Sequence, residues 1–105
     1  MRTKDYIYYL TPDDRKRFHL EMDRGRVIGF VVQYETLVGE RWRPVIRYDT
    51  AHGYPHIDIL NQRGRVVEKV ELTHMDYKDA LNFADYDVSS NWEAYKQKFF
   101  KGRIK

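Results

Sequence analysis

The segment from residue 45 to 60 gathers the side chains of this 105-residue chain that are best suited to acid–base chemistry. It reads VIRYDTAHGYPHIDIL and carries two histidines, two carboxylates and one arginine: His52, His56, Asp49, Asp58 and Arg47. Histidine changes its charge near neutral pH, so a pair can give a proton to a phosphodiester and take one from it. An arginine beside the pair would stabilise the charge that develops on the phosphate. This combination predicts metal-independent cleavage of RNA, in which the 2′-hydroxyl is itself the nucleophile.

A hairpin would bring these side chains together. Apolar residues alternate with polar ones on either side of a loop that contains Gly and Pro, which predicts two paired strands. Residues opposite one another in an antiparallel pair share a face, so pairing Asp49 with His56 also puts Arg47 opposite Asp58. We expect the polar groups to meet on the face of the sheet away from the helix. Asp49, Tyr48 and Asp58 are expected to orient the site.

Two other interpretations of the same residues stay open. The cross-strand pairs Asp49–His56 and Arg47–Asp58 could simply stabilise an exposed sheet face, each by about 0.2–1 kcal/mol. Alternatively, His52, His56, Asp49 and Asp58 could hold a divalent metal. A His-x-x-x-His spacing across a loop and a strand lacks the single face that this spacing has on a helix, and Arg47 would repel a cation. We therefore predict no metal and no cofactor.

The rest of the chain reads as a sheet followed by a helix. Residues 17–72 alternate in several short runs separated by turn residues, which predicts an antiparallel meander. Residues 75–101 instead carry a stripe at helical spacing: Tyr77, Leu81, Ala84, Val88, Trp92, Tyr95 and Phe99. Asp87–Asn91 are poor helix formers and predict a kink or a break. We predict one α+β domain over residues 1–105, with a four- or five-stranded antiparallel meander packed on one long C-terminal helix. Residues 1–16 would be an N-terminal extension.

Composition narrows the classes of function. The chain has no cysteine, which excludes disulfides, thiol nucleophiles and thiolate metal sites. No stretch approaches the roughly 20 apolar residues of a membrane span, and the apolar run near the N-terminus is too short for a signal peptide. We therefore expect a cytoplasmic protein that does not contact a membrane. The net charge of +3 reflects a basic end that follows an acidic stretch.

The basic end is a second candidate for binding nucleic acid. Its cations interleave with two phenylalanines and include Lys96, Lys98, Lys101 and Arg103. Such a pattern could bind a phosphate backbone. The alternative is that these lysines complement the dipole at the C-terminus of the helix, while Phe99 completes the core stripe. The second interpretation explains the same residues without a ligand.

The hairpin and the helix together resemble a family of small uncharacterised microbial proteins over residues 27–100. The pattern is Arg47-Tyr48-Asp49-x-x-His52-Gly-x-x-His56-x-Asp58, then a strand, then Asp76-Tyr77-x-x-Ala80-Leu81 and Asn91-Trp92-x-x-Tyr95. The hairpin alone also resembles TumE-type toxins of toxin–antitoxin pairs, which combine a Tyr-Asp…His strand–loop–strand with a terminal helix. That resemblance implies a small toxin that acts on RNA and is neutralised by a helical antitoxin. Residues 1–25 have no counterpart in it.

We therefore predict a metal-independent, ribonuclease-like toxin whose partners are RNA and an antitoxin-like protein. The alternative is a module without enzymatic activity that presents the open face of its sheet to a protein or a nucleic acid. The sequence alone leaves open whether the chain is an enzyme. A homodimer through an exposed edge strand or the aromatic N-terminus is equally open.

Overall fold

The sheet that carries the hairpin is wider than the sequence predicts. A computed structural model describes residues 1–102. They form β1 (Arg2–Thr11), β2 (Asp14–Asp23), β3 (Arg26–Val38), β4 (Arg41–Asp49), β5 (His56–Leu60), β6 (Val66–Glu71) and α1 (Tyr77–Phe100). All neighbouring strands are antiparallel, and their order across the sheet is their order along the chain. The predicted α+β class with one C-terminal helix is confirmed, but the described residues form six strands rather than four or five.

The additional strand lies in the segment predicted to be an N-terminal extension. Residues 1–16 contain all of β1 and the start of β2. β1 is an edge strand, and Arg2–Tyr9 are exposed on both of its faces. One contact that holds it is the ring of Tyr6, which stacks on Phe18 of β2 with 4.5 Å between centroids. The run Tyr6–Leu10 suggests a strand here, but a strand that buries neither face need not alternate apolar with polar residues, so periodicity could not establish it.

Helix α1 covers the core face of the sheet. Its N-cap is Asp76, whose carboxylate accepts a hydrogen bond from the Asp79 N–H at 2.8 Å. The buried side chains of the helix and of the strands beneath it form one core: Ala80, Ala84, Val88 and Phe99 with Phe30, Val32, Tyr34, Ile46 and Tyr48. The helix makes these contacts over β3 and β4 and leaves the opposite face of the sheet open.

The predicted kink at Asp87–Asn91 is wrong, because α1 is continuous through this stretch. The carboxylate of Asp87 is buried against the sheet and accepts hydrogen bonds from the hydroxyls of Tyr48 and Tyr95, the second at 2.6 Å. The Asn91 amide donates to the same carboxylate at 2.8 Å. These residues have low helix propensity but pair with one another and with the strand below, and tertiary contacts of this kind override propensity.

The open face of the sheet carries side chains in rows that cross the strands. The histidine row crosses all six strands and consists of Asp5, His19, Val31, Asp49, His56 and Glu71. The basic row is the adjacent row on the same face, two residues away from the histidine row on every strand. It consists of Ile7, Arg17, Gln33, Arg47, Asp58 and Lys69. Neighbouring strands are about 4.8 Å apart, so His19 on β2 and His56 on β5 are separated by about 14 Å. The two histidines of the row therefore belong to separate clusters.

His19 ties the exposed strand β1 to β2 in a pH-dependent way. Its Nδ1 lies 2.7 Å from Asp5 Oδ1 and its Nε2 lies 3.2 Å from Glu21 Oε2. These hydrogen bonds raise the pKa of His19 above its ordinary value. The stabilisation is complete below the unfolded-state pKa of about 6.5 and is lost as the pH rises through the higher folded-state pKa. Wild-type protein should therefore lose part of its free energy of unfolding between about pH 5 and about pH 8.

Urea unfolding of the wild type and of His19→Gln at both pH values measures this effect. The imidazole and both acids are partly exposed, so we expect a difference below about 1 kcal/mol. Because a glutamine side chain cannot become charged, the variant should lack this part of the pH dependence. Equal pH dependence in both proteins would show that His19 does not contribute to it.

Candidate functional site

The β4–β5 hairpin has the register that the alternation of its residues predicts. Asp49 pairs with His56, and Arg47 pairs with Asp58. These four side chains lie on the open face of the sheet, in two adjacent rows. With His52 from the connecting loop, they form what we call the candidate site. The hairpin thus brings five polar groups together within 12 consecutive residues.

The imidazole of His56 lies between two carboxylates. Its Nε2 is 2.9 Å from Asp49 Oδ1 and 3.6 Å from Asp58 Oδ2. Because Nε2 faces both acids, we assign the proton of the neutral ring to this nitrogen. Nδ1 then carries a lone pair, and it has no hydrogen-bond partner among residues 1–102 although it is buried. The residue as a whole is 2% exposed.

The loop of residues 50–55 forms the cover over His56. Its exposed residue His52 has its ring centroid 5.1 Å from that of His56, and the ring of Tyr54 is 6.1 Å from His56. The Tyr54 hydroxyl donates to Glu71 at 3.0 Å, and this hydrogen bond raises the pKa of the phenol. The loop thus joins the exposed histidine, a tyrosine ring and the buried histidine in one cluster.

Asp49 also fixes the start of this loop. Its Oδ1 accepts a hydrogen bond from the Ala51 N–H at 3.0 Å, in addition to its contact with His56. The Gly53 N–H donates to the Thr50 carbonyl at 3.0 Å, and Gly53 has a φ of +86°, which favours glycine. One carboxylate therefore sets both the orientation of His56 and the path of the chain that covers it.

The guanidinium of Arg47 does not pair with Asp58, although the two residues are opposite each other. Its Nε donates to Gln33 Oε1 at 2.7 Å, the one side-chain hydrogen bond that Arg47 forms among residues 1–102. Gln33 in turn donates to Glu35. Asp58 Oδ1 lies 3.6 Å from Lys69 Nζ, too far for a hydrogen bond. Neither Nη group of Arg47 makes a side-chain hydrogen bond within residues 1–102.

The position of Gln33, and through it that of Arg47, depends on a buried glutamate. Glu35 accepts hydrogen bonds from Arg15 at 2.7 Å, from Arg17 at 3.0 Å and from Gln33 at 2.5 Å. Burial alone would raise the pKa of Glu35, but these hydrogen bonds outweigh burial and lower it. The carboxylate is thus held in its charged form and anchors the side chains of the open face around it.

The entire chain matches one protein family. The model of the family described as Domain of unknown function (DUF7718) matches residues 1–105. The chain belongs to this family. No curated protein and no solved structure shows significant similarity to this DUF7718 chain. The predicted membership of an uncharacterised family is confirmed, whereas the motif predicted for that family and the resemblance of the hairpin to TumE-type toxins stay predictions.

Tyr48 is the predicted site residue that the DUF7718 fold keeps apart from the others. Its side chain faces α1, where it is buried and donates to Asp87. Burial and then this hydrogen bond raise the pKa of the phenol well above its ordinary value. The alternation of residues along β4 already predicts this burial, because Tyr48 lies on the same face of the strand as the core residue Ile46. Tyr48 orients the helix on the sheet and does not reach the candidate site.

The basic end of the DUF7718 chain lies away from the hairpin loop. Gln62, in the β5–β6 turn, donates to the Phe99 carbonyl at 3.2 Å, so α1 ends at the opposite end of β5 from the loop. Lys96 makes an internal ion pair with the buried Asp14 at 3.1 Å. The two other described lysines, Lys98 and Lys101, are exposed, and Arg103 lies outside the described residues. The fold therefore separates this segment from the five polar groups.

Three residues of the candidate site could hold a divalent cation. Asp49, His56 and Asp58 each offer one ligand atom, and these atoms lie within 4.8 Å of one another. Two carboxylates and one imidazole suit several divalent metals. His52, which the sequence grouped with them as a possible ligand, is not in this cluster.

No helix within residues 1–102 has the length and apolar character that crossing a membrane requires.

Proposed function

We propose that this DUF7718 domain cleaves single-stranded RNA without a metal, with His56 as general base and His52 as general acid. Arg47 would bind the phosphate, and Asp49 and Asp58 would orient the base. The proposal joins residues of three kinds that phosphodiester cleavage requires: a proton acceptor, a proton donor and a cation.

The observation that carries the proposal is the pairing of Asp49 with one nitrogen of His56 while the other nitrogen is unpartnered. A carboxylate that holds one imidazole nitrogen selects the tautomer in which the second nitrogen can accept a proton. The same carboxylate stabilises the imidazolium that then forms. Since an unpartnered buried polar atom costs free energy, a merely structural histidine is expected to use both nitrogens. His56 uses Nε2 only, within residues 1–102.

In the proposed reaction the 2′-hydroxyl oxygen of the RNA attacks the adjacent phosphorus. His56 Nδ1 takes the 2′-hydroxyl proton as the new P–O2′ bond forms. The bond from phosphorus to the 5′-oxygen of the next nucleotide breaks, and protonated His52 gives that oxygen its proton. The products are a 2′,3′-cyclic phosphate and a 5′-hydroxyl. The two histidines then exchange roles or return to their starting states through water.

RNA can reach His56 only when the covering loop moves aside, because His56 is 2% exposed in the closed arrangement. The loop is six residues long and contains Gly53, and loop movements of this size are common in enzymes that exclude water. His52 is exposed and would make the first contact with the substrate. We therefore propose that loop opening precedes cleavage.

From the resemblance of the hairpin to TumE-type toxins, we also propose that the protein is the toxin of a toxin–antitoxin pair. A helical antitoxin that covers the candidate site would prevent both loop opening and RNA entry. This partner follows from the resemblance, whereas the acid–base chemistry follows from the side chains.

The test is cleavage of a labelled single-stranded RNA in the presence of EDTA, beside an all-2′-deoxy strand of the same sequence. We expect cyclic-phosphate products from RNA and none from the deoxy strand. The variant His52→Ala/His56→Ala, purified in parallel, should be at least about 100-fold slower. No cleavage, or equal cleavage by the double variant, would refute the proposal. Activity that EDTA removes and Mn²⁺ restores would instead assign Asp49, His56 and Asp58 as metal ligands.

A second candidate function is RNA binding without cleavage, through the basic row. Arg17, Arg47 and Lys69 follow one another across the open face, separated by Gln33 and Asp58. Salt-dependent retention of uncut RNA by the wild type would support this function. Loss of that retention on replacing the exposed Lys98 and Lys101 with glutamate would assign the binding to the basic end instead.

A further inference from the structure

A cleft of about 930 Å³ lies at the end of the sheet where three segments of the chain meet. The β2–β3 turn, the β4–β5 loop and the start of α1 form its walls. Its apolar and aromatic residues include Met22, Val27, Tyr54, Met75, Tyr77 and Leu81. Its volume lies within the range of about 300–1,000 Å³ that small-ligand sites occupy.

Two exposed cations border this cleft, Arg26 from the start of β3 and Lys78 from the first turn of α1. The acid among its lining residues is Asp76, whose carboxylate already accepts a hydrogen bond from the Asp79 N–H at 2.8 Å. The cleft therefore combines aromatic walls with an excess of positive charge. This combination suits a ligand that has a flat ring and a negative group.

The cleft shares its wall with the candidate site. Gly53, Tyr54 and Pro55 line it, and they are the residues between His52 and His56. The Tyr54 ring is 6.3 Å from the ring of His52 and 6.1 Å from that of His56. Tyr54 therefore connects the cleft with both histidines.

We infer that this cleft binds one nucleotide of single-stranded RNA, beside the phosphodiester that the histidines cut. The inference rests on the proposed function and adds the position of the substrate. The base stacks on Tyr54 or Tyr77, and Arg26 and Lys78 hold a neighbouring phosphate. Stacking on a tyrosine requires an unpaired base, so the cleft selects single-stranded RNA over a duplex.

The binding experiment uses the wild-type protein and a labelled 2′-O-methyl RNA, which lacks the nucleophile and stays uncut. Fluorescence anisotropy at several salt concentrations compares Arg26→Glu/Lys78→Glu with the control Arg41→Glu/Arg63→Glu. The control makes the same change in charge at exposed residues at the opposite end of the molecule. We expect the cleft variant to bind at least tenfold more weakly and its salt slope to fall by about 0.7, the value for one lost phosphate contact. The control should bind within about twofold of the wild type, and a duplex should bind more weakly than the single strand.

Substitution of Tyr54 tests the stacking. Tyr54→Leu should weaken binding about tenfold, whereas Tyr54→Phe keeps the ring and should bind like the wild type. Equal losses in the cleft variant and its control, or unchanged binding by Tyr54→Leu, would overturn the inference. If these binding results hold but the wild type cuts no RNA, the cleft stands and the proposed function fails. If the wild type cuts RNA but the cleft variants bind and cut normally, the cleft inference fails and the proposed function stands.

Discussion

Replacing Asp49 with asparagine is expected to slow RNA cleavage by at least about 100-fold while the protein stays folded. The amide oxygen can still accept the hydrogen bond from the Ala51 N–H, so the start of the loop keeps its path. A neutral amide cannot stabilise the imidazolium that forms when His56 Nδ1 takes a proton. The expected loss therefore comes from the missing charge and not from a missing contact. The measurement is the rate of cleavage of single-stranded RNA in EDTA.

Asp5→Asn is the matched control for this prediction. Asp5 belongs to the same row of the sheet, and its Oδ1 lies 2.7 Å from Nδ1 of His19. The substitution therefore removes a carboxylate from a histidine about 14 Å from His56. We expect cleavage within about twofold of the wild type, since screening weakens charge effects over this distance. Equal rates for wild type and Asp49→Asn would remove Asp49 from the mechanism.

Replacing Asp14 with alanine is expected to lower the free energy of unfolding by about 3 kcal/mol or more. The residue is 1% exposed, and its carboxylate accepts four hydrogen bonds: from Thr11 at 2.6 Å, Tyr34 at 2.7 Å, Thr36 at 2.9 Å and Lys96 at 3.1 Å. Its loss leaves the buried hydroxyl of Tyr34 without this acceptor. It also releases Lys96 of α1 from the sheet. Urea unfolding at neutral pH measures the difference.

Asp13→Ala is the control, and acid provides a second test. The hydrogen bonds that Asp13 accepts from β3 go to its backbone carbonyl, so its substitution should change stability by less than about 0.5 kcal/mol.

Burial alone would raise the pKa of Asp14, but its hydrogen bonds lower the pKa overall. Its contribution is present above the unfolded-state pKa of about 3.9 and is lost as the pH falls through the folded-state pKa. The difference between wild type and Asp14→Ala should shrink toward acid pH, and a constant difference would contradict this assignment.

The parts of the fold that local patterns encode are the parts that the sequence predicts. Alternation in 46–48 and 57–59 is enough to determine which residues of the hairpin share a face and which lie opposite each other. The stripe from Tyr77 to Phe99 likewise determines one long helix. In both cases the signal repeats within a few residues, so no knowledge of distant contacts is needed.

The polar contacts between distant segments could not be predicted in the same way. Asp14 and Lys96 are 82 positions apart, and Tyr48 and Asp87 are 39 positions apart. Nothing local distinguishes a carboxylate that will be buried among hydroxyls from one that will face water. The burial of His56 has the same origin, because it depends on how the loop folds back over the strand. For this reason the sequence indicates the residues of the candidate site but not which of them is exposed.

The sequential order of the strands has a consequence for how the molecule assembles. The connections between strands run from two residues, as at Gly39 and Glu40, to the six of the β4–β5 loop. Closing such short loops costs little entropy, so the sheet can form by a series of local hairpin closures. The docking of α1 is the long-range step, and the contacts of Asp14 with Lys96 and of Asp87 with Tyr48 are made only then. Because the candidate site lies within one hairpin on the outer face, it is expected to form with the sheet, before the helix closes the core.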